Sequence, residues 1–500
     1  MDYIIGLDIG TTSTKAIALN LEGNLLVENQ IGYPILQPLP THSEQDPDEI
    51  FNAVLQSIRF VTDTLAGKAN VLRGISCSSA MHSLIVMDQW HMPLTNSIIW
   101  ADTRSTQVAA KIKDTDLGTN IYHQTGTPIH PMSPLTKIIW IREHMPDVYR
   151  RAFKYISIKE YIIYRLFGQY IVDYSIASAT GLFDIYLFQW HQDALALAGI
   201  KSEQLSEPVP TTHIVRGVRK EFLKVLNIAK ETPFIVGASD GCLSNVGSGA
   251  IRKGEATVTI GTSGAIRVVT DEPKEDQKQR IFNYILTEEK YISGGAMNNG
   301  AIILQWFMDN FLNLEIEKVK AQNHDPYAFI AEEVFKVPTG SDGLIFLPYL
   351  LGERAPHWNA SARGVFFGIH MKHERPHFIR AVMEGVIFGI YSIGEAMEDV
   401  TGHIDVIYAN GGFSKSPFWV QMLSDIFNKR VRLTQTSEGS AVGACLLGMK
   451  ALHIIDDFDD VSDFVEMGEE FVPDYETHLA LMANYQIFKR IYQKLESEFV

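Results

Sequence analysis

The sequence predicts an α/β protein of two domains, each opening on a β-hairpin with a Gly-Thr turn. Length is the first reason: a single hydrophobic core stops growing at roughly 250–300 residues, and this chain has 500. The second is a rhythm of short apolar strands and amphipathic helices that runs through both halves. The third is an internal echo. "LDIGTTSTKAIAL" (7–19) and "VTIGTSGAIRVV" (258–269) both read as strand, Ile-Gly-Thr with a following Ser, and strand. A duplicated unit would set two such turns face to face across a cleft. Taken singly, each is also explained as a tight turn rich in Gly, Ser and Thr.

The elements follow in order. Tyr3-Ile4-Ile5-Gly6-Leu7 is an apolar strand entering the first turn, and Ala16-Ile17-Ala18-Leu19 leaves it. "KAIALNLEGNLLVENQIGYP" (15–34) breaks at Glu22-Gly23-Asn24, a second hairpin signal. A helix is predicted over 46–66, where Asp46 can cap, Pro47 suits the first helical position and Glu49 stands three after the cap. Ile50, Phe51, Val54, Leu55, Ile58 and Val61 then recur on one face. "VLRGISCSS" (71–79) and "SLIVMD" (83–88) are further strands. In the second half, "IDVIYANGG" (404–412) is a buried strand running into glycines, and "SPFWVQMLSDIF" (416–427) a helix with Pro417 in its first turn. "RVRLT" (430–434) is a strand, "EGSAVGACLLGMKAL" (438–452) a helix of small residues, and a long helix near 475–497 ends the chain.

Composition narrows the function. Apolar residues make up 46 % and charged residues 20 %, as in ordinary globular proteins. A formal charge of −16 argues against nucleic acid or an anionic membrane as the main partner. Cys77, Cys242 and Cys445 are scattered and odd in number, which excludes a disulfide framework and points to small buried hydrophobes in a reducing compartment. No basic segment precedes a long apolar run at the N-terminus, and "GLIFLPYLLG" (343–352) is too short to span a bilayer. The expectation is a cytoplasmic protein with no membrane partner; a homodimer is compatible with the sequence.

The opening loop has the chemistry of a phosphate site. Backbone N–H groups of a Gly-Thr-Thr turn can converge on one anion, with hydroxyls from Thr11, Thr12 and Ser13 and the ammonium of Lys15 as further donors. Neither a P-loop nor a dinucleotide fingerprint is present, so a nucleotide held between two hairpin loops is the remaining arrangement. Asp8 at the mouth of the loop would repel phosphate unless a cation lies between them. Magnesium is held by one or two carboxylates plus phosphate oxygens and water, which gives Asp8 a reason to be there. The second copy has Thr259 at the aligned position. Transfer to an alcohol also wants a base, and "TPFIVGASDGCLSNVGSGA" (232–250) offers Asp240 at a strand-to-helix junction between Gly237 and Gly241. A plain N-cap is the alternative reading of Asp240.

At these residues the chain resembles the FGGY carbohydrate kinases. "MSPLTKIIWIREH" (132–144) and "GVFFGIHMKHERPHFIRAVMEG" (364–385) look like that family's two signatures, and the likeness runs over essentially the whole chain. The resemblance implies two actin-like, ribonuclease-H-like domains with ATP and sugar in the cleft between them. Residues 1–245 would bind sugar and carry the first phosphate loop and the base. Residues 246–500 would carry the second loop and the adenosine site. The first loop is similar to the family's at Asp8, Gly10, Thr11, Thr12, Ser13 and Lys15, with Asp8 and Asp240 toward Mg²⁺. The second is similar at Gly261 and Thr262. Asp240 matches the general base, and "NGGFSKSPFW" (410–419) the adenosine loop, through Gly411, Gly412 and Ser416. "NNGAIILQW" (298–306) is a looser match, through Gly300 and Gln305.

The sugar-side segments discriminate among members. Glycerol kinases carry an Arg-Glu pair where this chain has Met81-His82. Xylulose kinases have Met-His but usually follow the base with Asn, where this chain has Gly241. "SSAMHSLIVMD" (78–88), "IIWADTRS" (98–105) and "YHQTGTPIHPMSP" (122–134) together look most like members acting on gluconate. A sugar acid needs a cation at the far end of its pocket, and Arg104, His82, His130 and Lys137 are the candidates, with Arg the better bidentate partner. Trp100 and Asp102 complete the sugar-side set, Trp100 as wall or as core. Lys137 and Trp140 also read as one helix face, and a lone His also reads as a structural hydrogen-bonder. Two other classes compete: a sugar sensor on the same fold, which would need an added DNA-binding module, and an actin-like ATPase without a small substrate.

Overall fold

The predicted turn at Gly10 joins β1 (Asp2–Ile9) to β2 (Ser13–Asn20) in antiparallel register, with Asp8 opposite Lys15. The computed structural model describes residues 1–67, 70–434 and 438–499. β3 (Leu25–Gly32) pairs with β2 beyond the second predicted turn. Helix α1 (Pro47–Thr64) follows, its Asp46 side chain accepting from the Asp48 N–H and its expected apolar face buried. β4 (Val71–Ser79) returns parallel to β1. The strand expected over 83–88 is shorter, Ile85–Met87. Helix α2 (Pro134–His144) belongs to a run of short helices and strands that the chain makes between β4 and β5 (Ile214–Val215). β6 (Phe234–Ser239) then runs parallel to β4 and leads into α3 (Asp240–Gly247). The six strands stand in the order β5-β6-β4-β1-β2-β3.

The second sheet repeats this plan. β7 (Glu255–Ile260) and β8 (Gly264–Thr270) form the second hairpin, and β9 (Tyr291–Met297) lies beside β8. β10 (Val406–Asn410) is parallel to β7 and β11 (Arg430–Thr434) parallel to β10, while β12 (Met467–Phe471) closes the edge antiparallel. Within this seven-stranded sheet the order β9-β8-β7-β10-β11-β12 matches β3-β2-β1-β4-β6-β5, and one further strand, Phe282–Ile285, lies at the edge beside β9. The shared part of each is an antiparallel hairpin with a third strand beside it, two parallel strands and an antiparallel edge. The sequence echo is therefore a duplication of architecture. The central parallel strands carry helices on both faces, which is why β6 is buried along its whole length.

By packing, the chain groups into two units. One comprises Met1–Arg252, Val269–Ser293 and Glu438–Val465; the other comprises Lys253–Val268, Gly294–Ser437 and Glu466–Val500. The late segment of the first unit contains α4 (Gly439–Ala451), the predicted small-residue helix. Its composition has a steric reason. A Cβ on Gly443 would stand 2.0 Å from the Leu243 carbonyl oxygen, and one on Gly247 would stand 1.9 Å from that of Gly439. The backbones of α3 and α4 thus approach to a distance that only glycine allows. All three cysteines are buried thiols. Among the described residues no helix is long and apolar enough to cross a membrane.

Candidate active site

The first loop is held entirely from behind. Gly10 N–H donates to the Ser13 carbonyl at 3.0 Å and closes the turn. The Tyr33 hydroxyl donates to the Gly10 carbonyl (2.6 Å), Gln45 Nε2 to that of Thr11 (2.6 Å), and the Tyr33 N–H to that of Thr12 (3.1 Å). With three successive carbonyls turned into the protein, the N–H groups of Thr11 and Thr12 make no hydrogen bond among the described residues. Two adjacent free N–H groups on a tight turn form an anion-binding concavity. The Thr11 hydroxyl accepts from the Trp100 indole N–H at 2.9 Å, and the Ser13 hydroxyl from Gln30 at 2.7 Å.

The carboxylates gather beside this loop. Asp8 sits opposite Ser78 on the parallel strand β4, and the Ser78 hydroxyl donates to it at 2.8 Å. Burial raises the Asp8 carboxyl to about 7; the negative charges of Asp240 and Glu438 add to the rise, and Ser78 and Lys15 oppose it. Lys15, read as a cation toward phosphate, is ion-paired here with Glu438 at the start of α4. At the equivalent place in the second sheet, Thr259 lies opposite Asn410 and donates to its side-chain oxygen. Duplication has thus kept the position and changed the charge.

Asp240 is not the cap of α3. That role belongs to Ser239, whose hydroxyl accepts from the Cys242 N–H, and Asp240 is the first helical residue. Its carboxylate accepts from the Gly241 N–H at 2.7 Å, and its carbonyl accepts from the Ser440 hydroxyl of α4 at 3.0 Å. The capping alternative for Asp240 is thereby removed. The carboxylate pair of Asp8 and Asp240 has the donor chemistry of a Mg²⁺ site. Among the described residues no three His, Cys, Asp or Glu side chains are gathered to hold a metal by themselves. An ion shared between one or two carboxylates, phosphate oxygens and water fits such a pair.

The sugar-side residues meet around Lys137. Its ammonium donates to the carbonyls of His82 (2.6 Å), Ile99 (2.8 Å) and Ile98 (3.2 Å), drawing the Met81-His82 turn against the strand that leads to Trp100. Its three N–H bonds are all spent, and burial pulls its pKa down to about 7. The reading of Lys137 as a ligand for a substrate carboxylate is corrected accordingly: it ties backbone together. His82 is buried in a left-handed conformation (φ 66°), its Nδ1–H donating to the Ala179 carbonyl at 2.7 Å and its Nε2 facing the Tyr284 hydroxyl at 3.4 Å. His130 Nδ1 accepts from the Met132 N–H at 3.2 Å. Met81 packs on the core around Leu84 and Ile98.

Arg104 is committed on one side. Nε and Nη2 donate to both oxygens of Asp102 (2.8 and 2.7 Å), and Nη2 also reaches Glu44 (2.5 Å). Its guanidinium lies 5.2 Å from the Trp140 ring centroid. Nη1 makes no hydrogen bond among the described residues. Asp102 also accepts from the Ser43 N–H at 2.7 Å, so it anchors both Arg104 and the backbone at Ser43.

In the second unit, Gly261 N–H donates to the Ser263 carbonyl at 2.9 Å, a tighter version of the first turn. Gly300 packs directly on it: its N–H donates to the Thr262 carbonyl at 3.2 Å, and a Cβ there would stand 2.6 Å from the Gly261 carbonyl oxygen. Gly411 (φ 95°) packs with equal closeness on Ile260. Gly412 and Ser416 follow in the turn that starts the helix Pro417–Phe427. Gln305 is exposed, with its side chain on Asp309 one turn along the helix. Sequence reasoning missed Tyr33, Gln45, Ser78, Tyr284 and Glu438. None carries a local motif, and each acts on a partner distant in the chain.

The family model for the FGGY family of carbohydrate kinases, N-terminal domain, matches residues 3–247, and that for the C-terminal domain matches residues 256–452. A gluconokinase of Bacillus licheniformis is 46 % identical over 498 residues, covering 99 % of this chain and 97 % of the relative. A solved gluconate kinase of Lactobacillus acidophilus superposes with a TM-score of 0.93 at 34 % identity, covering 100 % of this chain and 99 % of its own. A ligand-bound xylulose kinase of Lactobacillus acidophilus reaches 0.94 at 35 % identity with the same coverage.

Proposed function

The chain belongs to the FGGY family of carbohydrate kinases, and from that premise we propose that it transfers the γ-phosphate of ATP to the terminal 6-hydroxyl of gluconate. The observation that carries the substrate is the 46 % identity to a gluconokinase along nearly the full length of both chains. The observation that carries the chemistry is a loop whose Thr11 and Thr12 N–H groups have no partner among the described residues, beside the Asp8 and Asp240 carboxylates.

In this reading the Thr11 and Thr12 N–H groups, with the hydroxyls of Thr12 and Ser13, hold phosphate oxygens. Lys15 exchanges Glu438 for the nucleotide. Asp240, fixed at the start of α3, accepts the proton of the attacking hydroxyl. Asp8 and Asp240 are the residues that would hold Mg²⁺, which when bound neutralises charge on the β- and γ-phosphates. Gly261, Thr262, Gly300, Gln305, Gly411, Gly412 and Ser416 are the nucleotide contacts proposed for the second unit. Residues 1–245 supply sugar site and base, and residues 246–500 the adenosine side. His82, Trp100 and His130 line the sugar. Its carboxylate points away from the phosphates, which avoids like-charge repulsion, and meets the uncommitted Nη1 of Arg104. Three buried thiols support a reducing, cytoplasmic setting.

A substrate panel tests the reading. Purified protein with ATP and Mg²⁺ should phosphorylate gluconate with a higher kcat/KM than xylulose, ribulose or glycerol. The likeness to a xylulose kinase structure makes xylulose the critical competitor. A preference for xylulose would overturn the gluconate assignment and leave the kinase chemistry standing.

A further inference from the structure

The junction from β6 to α3 is gripped by a buried polar network that the chemistry above does not use. Lys159 and Asp173 form an ion pair at 2.7 Å with side-chain exposures of 2 % and 0 %. Lys159 Nζ also donates to the Ala238 carbonyl at 2.9 Å, in the next-to-last residue of β6. Asp173 turns its other oxygen to the Ile176 N–H and so caps the short helix Tyr174–Ser178. On that helix, the Ser175 hydroxyl accepts from the Ser239 N–H at 3.1 Å and donates to the Ser239 hydroxyl at 2.9 Å. Ser239 in turn caps α3. Both backbone positions immediately before Asp240 are therefore clamped by side chains from another part of the unit.

A buried ion pair is weak evidence for stability. Removing both charges from water costs about as much as their attraction returns, so hydrophobic replacements are often neutral. What this pair supplies is direction. β6 is irregular near its end: Gly237 is left-handed (φ 73°), a Cβ there would stand 1.7 Å from the Cys77 carbonyl oxygen, and the pairing with β4 shifts between Ile235 and Ala238. In that gap the Val236 and Gly237 N–H groups go to the His213 and Thr211 carbonyls, and the pairing with β4 resumes at Ala238 and Ser239, where Lys159 and Ser175 add a second set of partners. They also set the angle at which Asp240 is delivered.

We infer that Lys159, Asp173 and Ser175 are positioning residues for the catalytic carboxylate, holding Ala238 and Ser239 so that Asp240 meets the substrate hydroxyl. This rests on the reading of Asp240 as the base. A displacement of about 1 Å at a reacting group can cost on the order of 10²-fold in rate, so the network should act on kcat.

The test uses two variants. Ser175→Ala removes one hydroxyl without adding volume. The double variant Lys159→Met, Asp173→Asn removes both charges together, keeps the length of the lysine stem and keeps a residue that caps. For each, kcat and the KM values for ATP and gluconate are measured beside Asp240→Asn on the full chain, with a thermal melt. The expected result is a 10- to 100-fold loss of kcat, with both KM values within about twofold of the parent. Folded variants with kcat within twofold of the parent would overturn the inference, as would a Ser175→Ala protein that no longer folds, since the network would then serve folding. If Asp240→Asn itself keeps its turnover, the base reading fails instead, and the two failures are told apart.

Discussion

Asp8 and Ser78 face each other across the parallel pair β1 and β4, with the Ser78 hydroxyl donating to the Asp8 carboxylate at 2.8 Å. That single donor does not offset the burial and the two neighbouring negative charges that push Asp8 up to about 7. A carboxylate held at this cost beside a phosphate-type loop is suited to a cation. Asp8→Asn should therefore raise the half-saturating Mg²⁺ concentration by 10-fold or more while leaving the KM for gluconate within about threefold. Initial rates against free Mg²⁺ give the answer, and an unchanged midpoint would remove Asp8 from the metal site.

The same shift predicts a pH effect on stability. A carboxyl raised from an ordinary value near 4 to about 7 binds its proton in the folded state across that interval and not in the unfolded one. Its favourable contribution is present below the ordinary value and is lost as pH rises through about 7. Without divalent cations or nucleotide, Asp8→Asn should raise Tm at pH 8 by on the order of 2 °C, with the gain shrinking toward pH 4. Paired thermal melts at the two pH values check the sign.

Asp240→Asn should leave ATP binding intact and lower kcat by ~10²–10⁴, because the amide cannot accept the proton of the attacking hydroxyl. Since Ser239 does the capping, the substitution should cost little stability. Nucleotide binding by calorimetry and steady-state rates on the same preparation separate the two effects.

Arg104→Met and Lys137→Met should part company. With Arg104 goes Nη1, the one guanidinium nitrogen not engaged by Asp102 or Glu44, so the ratio of kcat/KM for gluconate over a neutral polyol of equal length should fall. A charge-assisted hydrogen bond worth roughly 1.5–3 kcal/mol sets the fall at about 10- to 150-fold. Lys137→Met should leave that ratio alone and lower stability by roughly 1–3 kcal/mol, because three buried carbonyls lose their donor. A ratio that survives Arg104→Met would assign the carboxylate contact to another residue.

Gly443→Ala should destabilise by several kcal/mol, since its Cβ would stand 2.0 Å from the Leu243 carbonyl oxygen and force α4 away from α3. A lower denaturant midpoint and a reduced kcat in the surviving folded fraction are expected together, because α3 carries Asp240. Gly261→Ala, with nothing near its Cβ, is the control for stability.

Much of this was legible in the chain. The hairpin turns at Gly10 and Gly261, the helix begun by Asp46 and Pro47, and the small-residue helix at 439–451 are written in local patterns of turn residues, caps and period. Asp8 and Asp240 stand out in sequence because each breaks such a pattern, as a charge at a phosphate-type loop or at a glycine-flanked junction. The cations were harder. Lys15, Arg104 and Lys137 each look like ligand groups in sequence, and each is already bonded to a carboxylate or to carbonyls that only folding brings near. The supports of the site were not legible at all: Tyr33 on Gly10, Gln45 on Thr11, and Ser175 on Ser239 lie 23, 34 and 64 positions from their partners.

By itself the sequence determined the elements, the duplicated plan and the chemical types at the site. Strand and helix periodicity, turn chemistry and the apolar pattern act over a few neighbouring residues, so they can be read without knowing where the chain goes. Tertiary structure alone decided which polar groups are spent and which are free. It turned three carbonyls of the first loop inward, gave the cap of α3 to Ser239 rather than Asp240, and consumed Lys137 on backbone. The physical reason is that a hydrogen bond or an ion pair is decided within about 3 Å in space. Separation along the chain does not encode that distance.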